Sequence, residues 1–168
     1  MSAAPADRAI LEPIDLAGHF DDCVRFRRDS FFCSFGTEQG FDATMGEANA
    51  EYLARMKEKC LALPAGNQHM HLNGEIVGQL EMRWLADEQV AYVNLFYVVP
   101  QWRGSGLGRR LDRRANEVAL ELGATRLRLS ASHANERALG VYRRLGWTLI
   151  GPRDDDPRMV RMERPVRL

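Results

Sequence analysis

The stretch from Val90 to Gly123 constrains the fold more than any other part of the chain. Val90–Val99 is nearly unbroken in apolar and aromatic residues, the pattern of a strand buried on both faces, and Pro100 ends it. Three alternating glycines (Gly104, Gly106, Gly108) follow. They lead into a helix from Ser105 that carries Leu107, Leu111, Ala115, Val118 and Leu122 on one face and closes at Gly123. A buried strand that feeds an amphipathic helix through a tight turn belongs to a layered α/β architecture.

The flanking segments agree. Arg8–Ile14 reads as a short strand, and Asp15 as the N-cap of a helix with Leu16, Phe20, Val24 and Phe26 at near-helical spacing. Ser30–Ala43, rich in Phe, Gly and Ser, has no clean period and reads as a loop or broken helix. A second helix spans Glu47–Leu63, with Tyr52, Met56 and Cys60 on one stripe, and stops at Pro64–Gly66. Asn73-Gly74 between Gln68–Leu72 and Glu75–Trp84 signals a hairpin. Further on come a strand, Arg126–Ala131, and a short helix, Glu136–Leu145, opened by Asn135. Trp147–Ile150 and Met159–Glu163 make a final antiparallel pair around Gly151–Pro157. The expectation is a mixed α/β sheet with helices on both faces.

With 168 residues, one domain spanning 1–168 is expected. Apolar residues at 45% and charged residues at 27% exclude a disordered, collagenous or disulfide-scaffold chain. No apolar run approaches the ~18 residues of a membrane span. The opening MSAAPADRAILEP does not read as a signal peptide. Cys23, Cys33 and Cys60, without a CxxC spacing, read as reduced thiols of a cytoplasmic protein. Net charge is zero, but residues 1–100 hold 8 basic and 15 acidic side chains, and residues 101–168 hold 15 and 8. Such a split suits a polyanion on one side and a cation on the other, or it is simply solvated helix surface. Arg109, Arg110, Arg113 and Arg114 share one helix without interleaved aromatics, so no nucleic-acid partner is expected, nor a membrane.

The glycine turn carries the chemistry. Glycines permit close backbone approach, and first-turn N–H groups lack partners inside a helix. With the positive end of the helix dipole they form a seat for phosphate or pyrophosphate, which Arg103, Arg109 and Arg110 would strengthen. The dinucleotide fingerprint G-x-G-x-x-G fails at Arg109, and no Gly-Lys-Ser/Thr follows for a nucleotide P-loop.

Val98-x-Pro100 followed by Arg103-Gly-Ser-Gly106-Leu-Gly108 resembles the Arg/Gln-x-x-Gly-x-Gly/Ala motif of the GNAT superfamily of acyl-CoA-dependent N-acetyltransferases. Asn135, Ala138, Tyr142 and Gly146-Trp147 resemble its second signature. The two cover roughly Val90–Gly151. Residues 1–66 match only as a strand and two helices, on the side where that family caps its acceptor. The resemblance implies a mostly antiparallel sheet in which two parallel strands, Val90–Val99 and Arg126–Ala131, splay into a cleft for acetyl-CoA. Backbone groups of Phe96, Tyr97 and Val98 would face the pantetheine and thioester. The turn Gly104, Ser105, Gly106, Leu107, Gly108 and Arg109 would hold the pyrophosphate, with Arg103 beside it. Asn135 would bond the pantetheine arm, and Tyr142 would lie near the sulfur.

Acetyl transfer by direct attack in a ternary complex needs three groups. A backbone N–H near Val98 would polarise the thioester carbonyl. Tyr142, protonated at neutral pH, would assist thiolate departure, although it also sits on the apolar stripe Ala138, Val141, Leu145 and could merely pack. For removal of the amine proton, Glu81, mid-strand on the face Glu75, Val77, Gln79, Glu81, Arg83, is one candidate base. His133 is another, and water would replace both. The loop from Asp29 to Asp42, with Phe31, Phe32, Phe35 and Phe41, forms either an acceptor-side wall or plain core. No metal is implied. A non-catalytic acyl-CoA-binding module and transfer from another acyl-CoA are the alternatives. The motifs leave open which small-molecule or peptide amine accepts, and a homodimer is compatible with them.

Overall fold

The computed structural model describes residues 4–168. A short helix α1 (Pro5–Arg8) precedes strand β1 (Ile10–Pro13), so the expected strand is shorter at its start. Asp15 caps helix α2 (Leu16–Phe35) as expected, its carboxylate accepting from the amides of Ala17 and Gly18. The stretch expected as a loop or broken helix is a broken helix, and α2 supplies its first part, Ser30–Phe35. Its polar positions Ser30 and Ser34 leave no apolar period to detect, yet the helix ends only at Gly36, which takes φ 69° and donates to the Phe32 carbonyl. After α3 (Phe41–Met45) comes α4 (Ala50–Ala62), stopped at Leu63 before Pro64.

Strands β2 (Gln68–Leu72) and β3 (Glu75–Leu85) form the expected hairpin, with Asn73 and Gly74 both at positive φ (53° and 80°) as a tight primed turn requires. Strand β4 (Val90–Val98) follows, then helix α5 (Leu107–Glu121), strand β5 (Arg126–Ser132), helix α6 (Glu136–Arg144), and strands β6 (Thr148–Pro152) and β7 (Met159–Pro165). Among the described residues seven strands lie in the order β1-β2-β3-β4-β5-β7-β6, and β4–β5 is the one parallel pair.

Alternation along β3 assigns the faces. Leu80 and Gly78 look toward α5, where a side chain at Gly78 would meet the Tyr97 carbonyl at 2.7 Å and Leu111 at 3.7 Å. Gln79 and Glu81 look the other way, toward Tyr52 of α4 and Arg27 of α2. The main core fills the space around Leu80, Met82, Val93, Leu107, Leu111 and Leu127, all at or near zero exposure. A smaller cluster joins Cys23, Phe41, Met45, Tyr52 and Met56 beneath α2 and α4.

Candidate active site

The sheet opens at its centre. Strands β4 and β5 pair only over Val90–Val93 against Arg126–Leu129. Beyond Val93 they part, while β5 stays paired with β7 as far as Ser132 and β4 stays paired with β3 as far as Val98. A cleft of about 280 Å³ occupies the gap. Its walls are Val93–Val98 of β4, Leu129–Ala131 of β5, Gly104 and Gly108 of the glycine turn, and residues of α6. Helix α2 closes it with Ser30, Cys33 and Ser34.

The glycine turn is built as a donor array. Gly104 and Gly106 adopt φ 80° and 92°, which a side chain would strain, and α5 begins at Leu107. Among the described residues, the amides of Gly104, Gly106, Leu107, Gly108 and Arg109 find no acceptor; the first helical bond outside the regular ladder is Arg110 N–H to Gly106 at 3.1 Å. Open space surrounds the positions a Cβ would take at Gly104 and Gly108. This end of the cleft therefore presents unpaired N–H donors at a helix N-terminus. Leu107 itself is core, fully buried. Ser105 turns its hydroxyl onto the Trp102 carbonyl, at 2.5 Å.

Arg103 lines the cleft beside Gly104, with its guanidinium turned to α2 and the end of β4. Its Nε donates to the Val98 carbonyl at 2.9 Å, and its guanidinium binds Asp29 at 2.6 Å and approaches the Cys33 thiol at 3.6 Å. The same Asp29 oxygen accepts the Tyr97 hydroxyl at 2.6 Å, and the Tyr97 ring stacks on Phe26. Arg103 thus fastens α2 to the end of β4. Phe96 faces the other side, 6.2 Å from Tyr142 and 6.3 Å from Trp147, ring centre to ring centre. Asn135 lines the cleft and caps α6, its Oδ1 accepting from the Ala138 amide at 3.1 Å.

Tyr142 reaches the cleft from α6, and no group among the described residues hydrogen-bonds its hydroxyl. Burial, with a smaller contribution from Asp112, pushes its pKa up to about 12. The phenol is therefore a proton donor kept in its acid form. Asp112 borders the cleft but is fully engaged: one oxygen accepts from Trp147 Nε1 and the other from Arg164, each at 3.0 Å. That buried pair fixes Trp147 beside Tyr142.

Glu81 does not line the cleft, and its surroundings remove it as a base. Its side chain has no exposure and accepts from Arg27 (2.7 and 3.2 Å), Tyr52 (2.6 Å), Gln79 (2.8 Å) and Lys59. Burial alone would raise the carboxyl. Arg27 and then Lys59 outweigh that and hold it well below the usual carboxylate range. The acidic side chain in mid-strand has its reason in a buried ion cluster. His133 is exposed and also outside the cleft lining. None of the four phenylalanines lines the cleft: Phe41 is buried core packed by Phe31, Phe35 lies under Arg158, and Phe32 is half exposed. The face of α2 toward the cleft is instead Ser30, Cys33 and Ser34, an i, i+3, i+4 set of small polar residues that a helical reading would have found.

A family model described as the acetyltransferase (GNAT) family matches residues 22–147. The chain belongs to the GNAT acetyltransferase family. Curated relatives include the bovine (Bos taurus) thialysine N-epsilon-acetyltransferase, 40% identical over 55 residues, which are 33% of this chain and 32% of that one. The streptothricin acetyltransferase of Streptomyces lavendulae is 34% identical over 79 residues, 47% of this chain and 42% of that one. The matches thus span less than half the length of these relatives. In fold, this GNAT chain resembles the PaiA N-acetyltransferase from Thermoplasma acidophilum, solved in complex with coenzyme A. The TM-score is 0.75 at 14% identity, covering 94% of this chain and 98% of that one. The mostly antiparallel sheet with its parted parallel pair is the GNAT fold. Among the described residues no helix is long and apolar enough to cross a membrane, and no group of three or more His, Cys, Asp or Glu side chains is placed to hold a metal ion.

Proposed function

We propose that this chain is one catalytic domain that transfers an acetyl group from acetyl-CoA to an amine. The observation that carries the reading is the junction, in one cleft, of an unpaired amide array and an unpartnered tyrosine hydroxyl. The array would bind the pyrophosphate, and the free edge of β4 from Phe96 to Val98 would run beside the pantetheine, with the Asn135 amide opposite. The thioester supplies an activated acyl group. A backbone N–H of the parted β4 would polarise its carbonyl oxygen.

Attack forms the C–N bond and breaks the C–S bond. Tyr142 would give its proton to the departing sulfur and recover one from solvent. With Glu81 engaged and His133 outside the cleft, the proton lost by the attacking nitrogen leaves through water. The relatives' names, thialysine and streptothricin acetyltransferases, support an amine-bearing small molecule as acceptor. Three free thiols support a reducing, cytoplasmic setting. The test is thiol release from acetyl-CoA across a panel of amines. Release that depends on an amine supports the reading, and its absence with every amine rejects it.

A further inference from the structure

We propose that Arg161 binds a carboxylate of the acceptor, so that the preferred substrates are amines whose acid lies several atoms from the reacting nitrogen; this rests on the acetyltransferase reading. The cleft passes through the sheet. On one face it meets the glycine turn and α6, where that reading lays the cofactor, and on the other it meets Ser30, Cys33 and Ser34 of α2. An acceptor therefore reaches the thioester from the face of α2.

That face is only partly covered. Helices α2 and α4 pack over Gln79 and Glu81 of β3, while Arg128 and Ser130 of β5 and Arg161 and Glu163 of β7 stay half-buried. Ser130 belongs to both places: it lines the cleft, and its hydroxyl lies 2.7 Å from that of Tyr92 on β4. Arg161 is the cross-strand partner of Ser130 in the antiparallel β5–β7 register, and side chains directly opposite share a face with Cβ atoms about 5 Å apart. On its other side Arg161 faces Gly151, where no atom lies within 4 Å of the position a Cβ would take. The β6–β7 loop completes the rim by laying Arg158 on Phe35 of α2, 4.4 Å from guanidinium carbon to ring centre.

The charges of this strip do not balance. Arg128 spans Glu163 and Glu88, each at 2.7 Å, Arg126 shares Glu163 at 3.2 Å, and Arg153 pairs with Asp155. All three carboxylates are thus taken. Among the described residues Arg161 makes no ion pair and no side-chain hydrogen bond, and Arg83, 4.6 Å from the Tyr92 ring centre, has no carboxylate either. A half-buried guanidinium presents a planar fork of N–H donors that matches a carboxylate. Arg161 stands one strand away from the cleft wall at Ser130, roughly 5 Å. That offset favours the side-chain amine of a diamino acid, or the N-terminus of a short peptide, over an amine on the carbon that bears the acid.

The experiment measures thiol release by wild type, Arg161→Met and Arg161→Lys with free lysine, lysinamide and cadaverine, which differ only in the acid, and with triglycine and triglycinamide. Wild type should prefer the acid of one set over its carboxamide by about 10- to 100-fold in kcat/KM, chiefly through KM, and the set that responds tells a diamino acid from a peptide. In Arg161→Met that preference should vanish, while the thermal shift from acetyl-CoA stays as in wild type. Arg161→Lys, which keeps the charge without the fork, should retain part of the preference and serves as the test if methionine does not fold. A wild type that turns over carboxamide and acid equally, or uses other amines but neither set, overturns the assignment. So does a preference that survives in Arg161→Met, or a loss there of the acetyl-CoA shift. Wild type that releases no thiol with any amine overturns the acetyltransferase reading, and this inference with it.

Discussion

At the scale of single residues, Tyr142 and Glu81 show how environment separates a reactive group from a structural one. Tyr142 has a free hydroxyl in the cleft and a pKa of about 12. Tyr142→Phe removes no hydrogen bond from the fold and should leave Tm nearly unchanged. Steady-state kinetics should show kcat lower by roughly 10²–10⁴-fold with little change in acetyl-CoA affinity. Because burial raises this phenol, its acid form persists through the physiological range. The wild-type pH profile should therefore show no fall from Tyr142 ionisation below about pH 10. Glu81 is the converse, a carboxylate whose lone pairs are all engaged. Glu81→Gln leaves Arg27 and Lys59 close together without a counter-charge and should destabilise the protein by about 3–5 kcal/mol at pH 7. The native carboxyl titrates below its unfolded value, so its contribution is complete above about pH 4.5 and is lost as pH falls. Denaturant melts at pH 7 and pH 4 should show the gap between wild type and variant narrowing in acid.

At the scale of elements, legibility follows how local the determining physics is. The hairpin at Asn73-Gly74, the cap at Asp15 and the strand–turn–helix of β4 and α5 are set by a few adjacent residues, and the sequence reading places all of them. Helix α2 beyond Ser30 is set by long-range packing, with Arg103 and Tyr97 gripping Asp29, so no local period reveals it. The buried role of Glu81 is hidden from the sequence for the same reason, since its three ionic and phenolic partners lie 22 to 54 residues away. Nor does a strand's alternation disclose a bulge such as the one at Asn94. The start of α5 offers the sharpest test of the anion seat. Gly108 lies in the first turn, without positive φ and with open space where its Cβ would stand. An acid there favours a helix N-terminus and replaces a poor helix former, so Gly108→Asp should keep or raise the apo Tm. The same carboxylate would repel a pyrophosphate. Calorimetry should show the thermal shift from acetyl-CoA abolished in a protein that is otherwise more stable, whereas an unchanged shift would place the cofactor elsewhere.

At the scale of the whole molecule, the charge split acquires a location. The acidic 100 residues end at the close of β4 and the basic 68 begin with the glycine turn, so the cleft lies where the two halves meet. Next to it, sharing Asp112 and Leu145 as walls, runs a groove lined by Arg109, Arg113, Arg144, Arg164 and Arg167. Arg109, Arg113 and Arg144 have no carboxylate within ion-pair distance among the described residues, whereas Arg164 is held by Asp112. Unpaired exposed cations add little to folding, but they attract a polyanion over several ångströms and are screened by salt. Under this reading kcat/KM for acetyl-CoA should fall roughly 3- to 10-fold between about 20 and 300 mM salt, while kcat stays nearly constant. The double variant Arg113→Glu with Arg144→Glu should raise KM for acetyl-CoA at low salt and flatten its salt dependence. Its kcat should stay close to wild type, because neither side chain lines the cleft where bonds change. A salt profile that is flat in wild type would mean that the arginines are only solvated surface. The acceptor then separates the two halves: a cationic amine drawn to the acidic side should show its own fall of kcat/KM with salt in the double variant, where the pull on the cofactor is gone.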